Sequence, residues 1–371
     1  MRIALLAHWF AEYTRVLAEG LVDAGHEVLF VVERGAFEGE LGEVPRPGPR
    51  LQVEVVEHRA HPVAALRTSR QMLRSIQRFH PDVVHAQEAV RDSQVAVLPL
   101  LRRQYPLVVT VHDPVPHMGQ DTARQKRSRG GAYLWATRRL ADAAIVHGHS
   151  LKDELERVVP RLSGRTWVVP HGVLGASVQD PPVADAEPGR ALFFGRIEEY
   201  KNLPAFVLAI EHLSAEGVSV HGRVAGRGSA LTDDLRRRIE RCDALSLHEG
   251  YLTRTELLRE VDRASIVVQP YLEATQSGVS LLALGRGRPV LATDVGEVPM
   301  VVRDGVNGLV VPPNDQEALE DALGRVVRDG DLWRGLQQGA VESSCGDLSW
   351  PAIARTTVGV YEATVGRRAS A

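Results

Sequence analysis

MRIALLAHWFAEYTRVLAEGLVDAGHEVLFVV, residues 1–32, contains the unit from which the rest of the chain is built. Residues 3–7 are a short apolar run and read as a strand. From 11 to 24 apolar positions fall at helical spacing, Leu17, Leu21 and Val22 among them, so this stretch reads as a helix. Gly25 ends it as a left-handed cap, a conformation open to glycine because it has no Cβ to clash. Residues 28–32 return as a second strand. Strand, crossover helix and strand again is the pattern of a parallel sheet buried between helix layers.

The pattern continues in both directions along the chain. Further strands are expected at 53–56, 83–85, 107–112, 144–147 and 167–170, with helical patterns in most of the gaps. Residues 179–190 (QDPPVADAEPGR) are rich in Pro, Asp and Ala, have no apolar period, and read as a linker. The order then restarts, with strands at 191–195, 218–225, 245–248, 266–269, 290–292 and 309–311. A last helix is expected over 349–365. The fold class is therefore α/β, with two doubly wound, Rossmann-like domains at 1–178 and 179–348 and a tail helix over 349–371. Open parallel sheets bind ligands beyond the carboxyl ends of their strands. Two such domains facing each other place a site in the cleft between them. Residues just after strands are the candidates to carry it.

Bulk numbers exclude several classes. A chain of 371 residues is long for one core and suits two domains. Its net charge of −3 provides no global attraction to nucleic acid or to an anionic membrane. The two cysteines, Cys242 and Cys345, form no CxxC, so neither a disulfide framework nor a thiolate metal site is expected. No run of about 20 apolar residues would span a membrane. The N-terminus has no basic stretch followed by a long apolar stretch and a small-residue cleavage site, which points to a cytoplasmic protein.

Two segments carry chemistry. In FFGRIEEYKN, residues 193–202, a strand ends at Gly195, and Arg196 and Lys201 follow within one short loop. A guanidinium fork and a mobile ammonium at a strand's carboxyl end suit a diphosphate; the alternative is an ordinary solvated loop. In residues 269–297, QPYLEATQSGVSLLALGRGRPVLATDVGE, a strand runs into a Gln276-Ser277-Gly278 turn before a helix that starts near Val279. Free amides at a helix N-terminus bind phosphate, and Gly278 lets backbone approach a ligand closely. A plain strand–helix–strand unit would explain the apolar residues but not the polar turn. Residues 125–139 (QKRSRGGAYLWATRR) are basic, with Tyr133 and Trp135 interleaved, and could receive an anionic or lipid-linked group or be a solvated helix face.

Taken together these stretches resemble the large retaining glycosyltransferase family of GT-B fold known as family 4, or glycosyl transferases group 1. GRIEEYKN is similar to its Gly-Arg…Lys-Gly diphosphate segment. VHGRVAGRGS resembles its strand ending in Gly-x-Gly, and LHEGYL the segment that frames the nucleobase. LALGRGRPVLATDVGEVPMVVRDGVNGLVVPPND is close to its Ala-x-Gly-x-Pro-Val…Asn-Gly-Leu stretch, and TVHDPVPH and VVPHGV to its first-domain and hinge segments. The resemblance implies a nucleoside diphosphate sugar donor, UDP before GDP, and an acceptor hydroxyl on a lipid-linked saccharide or a natural-product aglycone. Arg196 and Lys201 would hold the diphosphate. Gln276, Ser277, Gly278, Val279 and Ser280 would contact phosphate and sugar, with Glu273 beside them. Gly250 and Tyr251 would frame the base, and His112 would touch the transferred sugar; its alternative is a capping or core histidine. Tyr13, Asp113 and His117 would lie on the acceptor side. The tail helix with Trp350 would cross back onto the first domain, and membrane contact would be peripheral at most.

The chain departs from the family pattern at three places. Ala274 and Leu282 stand where two glutamates eight residues apart are often found, with Glu273 one residue out of register. Met300 stands at a downstream glutamate position, with Glu297 nearby. A Gly-Gly loop after the first strand is replaced by His8-Trp9-Phe10-Ala11-Glu12-Tyr13. A degenerate non-catalytic partner subunit is therefore one alternative, and a GT-B nucleotide-sugar epimerase or hydrolase is another. No metal is expected: no Asp-x-Asp follows a strand, and the pairs His112/His117 and His147/His149 have no clear third ligand nearby. No cofactor is expected either, since no GxGxxG opens the first helix.

Overall fold

The computed structural model describes residues 1–35, 47–57, 62–88, 92–115, 129–175 and 186–370. The chain divides into two compact units, Met1–His171 with Trp350–Ala371, and Gly172–Ser349.

The first unit holds a seven-stranded parallel sheet. Its strands are β1 (Arg2–Ala7), β2 (Glu27–Glu33), β3 (Leu51–Val56), β4 (Val83–Gln87), β5 (Leu107–Thr110), β6 (Ala143–Val146) and β7 (Thr166–Val168). Their order is β3-β2-β1-β4-β5-β6-β7, so the direction of winding reverses between β1 and β4. Alternation along β1 explains the two-sided core. Ile3, Leu5 and Ala7 face helix Ala11–Asp23 and the C-terminal helix Trp350–Ala369, whereas Ala4 and Leu6 face helices Pro62–Phe79 and Asp92–Gln104. The C-terminal helix seats closely because of Gly20, where a Cβ would stand 2.9 Å from the Trp350 carbonyl oxygen. Farther along this helix the Tyr361 hydroxyl pairs with His85 Nδ1 at 2.7 Å, and His85 Nε2 with Thr110 Oγ1 at 2.7 Å. Burial drives the His85 pKa down to about 3, so the ring is neutral.

The second unit holds six parallel strands, β8 (Arg190–Phe194), β9 (His221–Gly226), β10 (Leu245–Glu249), β11 (Ile266–Gln269), β12 (Val290–Thr293) and β13 (Gly308–Val311). Their order is β10-β9-β8-β11-β12-β13, and here the winding reverses between β8 and β11. Phe193 faces helices Leu203–Ala215 and Gln316–Arg328, and Leu192 and Phe194 face helix Gly278–Gly285.

Several boundaries differ from the sequence expectation; β5, expected to reach 112, ends at Thr110, so His112 lies in the loop beyond it. The strand expected from 218 starts at His221, because the chain leaves helix Leu203–Ala215 through Gly217 (φ +80°) and Val218 N–H closes back onto the Leu213 carbonyl. The last helix runs to Ala369 rather than 365, with Val360, Tyr361 and Thr364 buried along it.

Candidate functional site

In each unit the point where winding reverses marks where a ligand would enter, and the loops there are the ones singled out above. In the second unit, β8 ends at Phe194 and the chain turns at Gly195 (φ +103°). Gly195 N–H donates to the Ala225 carbonyl and Ile197 N–H to the Arg227 carbonyl, both at 2.9 Å. This loop therefore runs directly against the end of β9. A Cβ on Gly226 would lie 1.9 Å from the Gly195 oxygen, and one on Gly228 would lie 1.9 Å from the Ile197 oxygen. Only glycines let the two backbones meet. Gly250 (φ +152°) extends the stack by donating from its N–H to the Gly226 carbonyl at 3.2 Å. Tyr251, 71% exposed, carries the Arg227 guanidinium 4.0 Å from its ring centroid.

Arg196 is exposed beside this loop, and Lys201 is only 7% exposed. The Lys201 ammonium lies 5.3 Å from the Tyr271 ring centroid, and among the described residues no carboxylate pairs with it. It also lies 3.1 Å from where a Gly195 Cβ would stand, so any side chain there would crowd it. Burial, then the Arg196 charge, lowers the Lys201 pKa to about 8, with Glu198 acting the other way. A buried cation with a second cation nearby is an arrangement that an anionic ligand relieves.

The loop after β11 is fixed from both sides. Thr293 Oγ1 donates to the Tyr271 carbonyl at 2.6 Å, Leu272 N–H to the Tyr200 carbonyl at 2.7 Å, and Glu297 N–H to the Thr275 carbonyl at 2.9 Å. Gly296 (φ +54°) stands where a Cβ would be 1.8 Å from the Ala274 oxygen. Gln269 closes the turn: its Nε2 donates to Ser277 Oγ at 2.9 Å, and its Oε1 accepts from Ser280 Oγ at 2.7 Å. Ser277 caps helix Gly278–Gly285 by accepting from Ser280 N–H. The serine hydroxyls thus shape the turn, and the amides of Gly278 and Val279 open the helix with no carbonyl a turn behind them to accept their protons. Gly278 and Glu273 are exposed and Gln276 is half-buried. Leu282, at one of the displaced glutamate positions, packs toward Gly175.

The carboxyl edge of the first unit is made of rings. His8 and Glu33, at the ends of neighbouring strands, form a buried pair at 2.5 Å. Trp9 is 51% exposed, and Phe10 takes a left-handed conformation (φ +55°) to begin helix Ala11–Asp23. Its ring stacks on His112, with centroids 3.5 Å apart and planes 18° apart. Tyr13, His147, His171 and Trp350 complete the cluster. His112 Nε2 pairs with Gln87 Oε1 at 2.9 Å. Burial first, then His147, His171 and His85, hold the His112 pKa well below its usual value. His147 donates from Nδ1 to the Val169 carbonyl and is lowered to about 3, again mainly by burial. These histidines are neutral, so they offer hydrogen bonds rather than charge.

Arg138 holds the segment that follows His112. It pairs with buried Glu88 at 2.5 Å and donates to the carbonyls of Asp113 at 2.8 Å and Pro114 at 2.6 Å. Burial raises the Glu88 pKa and Arg138 opposes the shift. Asp113 is exposed, Tyr13 is buried within the ring cluster, and His117 lies outside the described residues. Gln87, Glu88 and Gln269 were given no role at the level of sequence, and Arg138 lay within the basic stretch 125–139 without a role of its own. Gln87, Glu88 and Gln269 each end or follow a strand beside a reversal point, which was the available signal. Among the described residues no group of three or more His, Cys, Asp or Glu side chains is placed to hold a metal ion, and no helix is long and apolar enough to cross a membrane.

Comparison with known proteins bears on both units. The family model described as Glycosyltransferase Family 4 matches residues 11–173, and that described as Glycosyl transferases group 1 matches residues 188–329. A glycogen synthase of Mycobacterium tuberculosis (strain CDC 1551 / Oshkosh) is 26% identical over 295 residues, 76% of this chain and 69% of that protein. A phosphatidyl-myo-inositol mannosyltransferase of Mycolicibacterium smegmatis is 27% identical over 363 residues, 94% of this chain and 89% of that one. Among solved structures, the sucrose-phosphate synthase from Thermosynechococcus elongatus shares the fold with a TM-score of 0.69 at 20% identity, over 99% of this chain and 100% of that chain. The chain belongs to the family 4, or group 1, glycosyltransferases and has their GT-B fold of two parallel-sheet α/β units.

Proposed function

We propose that the protein transfers a hexose or amino-hexose from a nucleoside diphosphate sugar to an acceptor hydroxyl, with retention at the anomeric carbon. The observation that carries this reading is Lys201, a buried ammonium with no carboxylate partner among the described residues, in a loop that also carries Arg196. These two cations hold the donor diphosphate, joined by the Gly278 and Val279 amides and the Gln276-Ser277 turn, with Ser280 buttressing it through Gln269. Gly250 and Tyr251 border the base, and Glu273 the sugar. The bond from the anomeric carbon to the diphosphate breaks, a bond to the acceptor oxygen forms on the same face, and the acceptor's proton passes to the departing diphosphate. Arg196 and Lys201 stabilise the charge that develops there. Neutral His112 contacts the transferred sugar, and Tyr13, Asp113 and His117 belong to the acceptor side.

Retention, and UDP rather than GDP as nucleotide, rest on the family resemblance. The acceptor is a saccharide, lipid-linked or free, or a natural-product aglycone. The test is calorimetric titration with UDP and GDP in EDTA, followed by assay of sugar transfer and of donor hydrolysis. The reading expects binding of one nucleotide without metal and transfer to an added acceptor. Donor hydrolysis alone would support the hydrolase alternative, and failure to bind either nucleotide would support the non-catalytic one.

A further inference from the structure

The amino ends of the first unit's strands carry a second concentration of charge, at the opposite edge of the sheet from His112. Asp142, just before β6, accepts from Leu107 N–H at 3.0 Å. Three arginines share its carboxylate: Arg102 at 3.2 Å, Arg368 at 3.4 Å and Arg161 at 3.8 Å. Each has a visible structural task. Arg161 donates to the carbonyls of Arg139 and Ala141 at 2.6 Å, Arg368 caps the Tyr105 carbonyl, and Arg102 holds Asp142 itself.

Arg165 does not fit that account, and Arg367 fits it only through one backbone contact. Both line a cavity of about 250 Å³ together with Arg102, Arg368, Asp142 and Trp167. Arg367 donates to the Gly164 carbonyl at 3.0 Å, but among the described residues neither arginine has a carboxylate partner. Five guanidinium groups thus gather around one carboxylate. Like charges at this spacing repel, and at ordinary ionic strength the screening length of about 8–10 Å is too long to isolate them. The Arg161 guanidinium is held below its ordinary value first by burial and then by Arg102, with Asp142 opposing and Arg165 adding a smaller lowering. Among the described residues no carboxylate neutralises these two charges, so an anion that joined them would relieve the repulsion.

We propose that this recess binds a small phosphate-bearing anion, of about the size of a diphosphate, between the end of the C-terminal helix and the start of β7. Guanidinium forks match phosphate oxygens two at a time. Arg165 enters from the strand side and Arg367 and Arg368 from the helix, so the anion ties the end of the C-terminal helix to the sheet. Trp167, 37% exposed, provides an apolar wall. A ligand that binds only this docked arrangement stabilises it by mass action. The site is separate from Arg196 and Lys201 and does not depend on their assignment.

The test uses the full chain carrying Arg196→Ala and Lys201→Ala, which removes the other cationic cradle, with inorganic pyrophosphate as the probe. Calorimetry and thermal unfolding at low ionic strength should show saturable binding that raises Tm and weakens with added salt. Adding Arg165→Ala should weaken pyrophosphate binding about five-fold or more, the loss of one partly exposed charge-assisted contact, and adding Arg367→Ala should weaken it further. Without pyrophosphate, Arg165→Ala should leave Tm unchanged or raise it, because repulsion is relieved; this shows that the variant is folded. Absence of binding in the Arg196→Ala/Lys201→Ala chain, or equal affinity after Arg165→Ala and Arg367→Ala, would overturn the proposal. So would binding to phosphatidylglycerol vesicles without binding to pyrophosphate, which would make the patch a membrane-facing surface.

Discussion

In the second unit the carboxyl edge of the sheet is built on glycines and cations, whereas in the first it is built on a cluster of rings, with the Glu88–Arg138 ion pair beside it. Both edges sit at the point where the winding of a parallel sheet reverses. At one, Gly195, Gly226 and Gly228 bring two loops into backbone contact and leave Lys201 as a buried charge. At the other, the Phe10 ring stacks on His112, Tyr13 meets His112 edge-on and His147 tilts against it, and burial strips His112 and His147 of charge. A fold of one kind therefore carries two edges of different chemistry. In the proposed function the cationic edge takes the diphosphate. The ring edge is equipped for groups that accept or donate hydrogen bonds without carrying charge.

The largest expected effect lies in the glycine contact. Gly228→Ala forces a Cβ against the Ile197 oxygen, and the loop bearing Arg196 must move. Overpacking of this kind costs about 1–3 kcal/mol. Urea unfolding should show that loss, and nucleotide affinity should fall with it. Gly335→Ala, in helix Gly330–Cys345 with nothing within 4 Å of the added Cβ, should instead be neutral or stabilise by up to about 1 kcal/mol. Equal behaviour of the two variants would erase the distinction between a glycine required by contact and one that is not.

A second, intermediate effect follows from Lys201. Its folded-state pKa of about 8 lies below the unfolded value near 10.5. Between these values the unfolded chain holds the proton and the folded chain does not, so stability of the ligand-free protein should rise with pH in that window. Diphosphate binding needs the charged form and should weaken by about five-fold between pH 8 and 9. The two slopes have opposite signs, a signature that the neutral histidines of the first unit cannot produce. A flat affinity profile over this range would remove Lys201 from the diphosphate site.

The smallest effect belongs to the contact that seats the C-terminal helix on the first sheet. Tyr361→Phe removes the hydroxyl that His85 Nδ1 meets, and should cost about 1 kcal/mol of stability, the net value of one hydrogen bond. Nucleotide affinity should not change, since the contact holds the C-terminal helix to the first sheet.

Much of this contrast was legible in the sequence, because it rests on local pattern. The strand–helix repeat, the Gly25 turn, Arg196 and Lys201 after a strand, and the Gln-Ser-Gly turn all depend on residues close together in the chain. What could not be read depends on residues that meet only after folding. Gly228 is explained by Ile197, His8 by Glu33, and Arg138 by Glu88 and the Asp113 carbonyl. The serines illustrate the limit. The backbone amides around residues 277–280 read as ligand contacts, whereas the pairing of the two serine hydroxyls with Gln269, earlier in the chain and across the turn, had no local signature. The gathering of arginines around Asp142 draws on four separate segments and has no signature in any one of them.

The central claim is that charge recognition belongs to the second unit and sugar contact to the first. It is tested most directly by titrating the same nucleoside diphosphate into Lys201→Met and His112→Ala, and measuring sugar transfer by each. Lys201→Met should lose about 1.5–3 kcal/mol of binding energy, the range for a hydrogen bond to a charged group. His112→Ala should bind the nucleotide nearly as the unaltered chain does and lose about 10²-fold in transfer rate, because its contact counts mainly in the transition state. If Lys201→Met binds normally while His112→Ala does not, the two edges have been assigned the wrong way round.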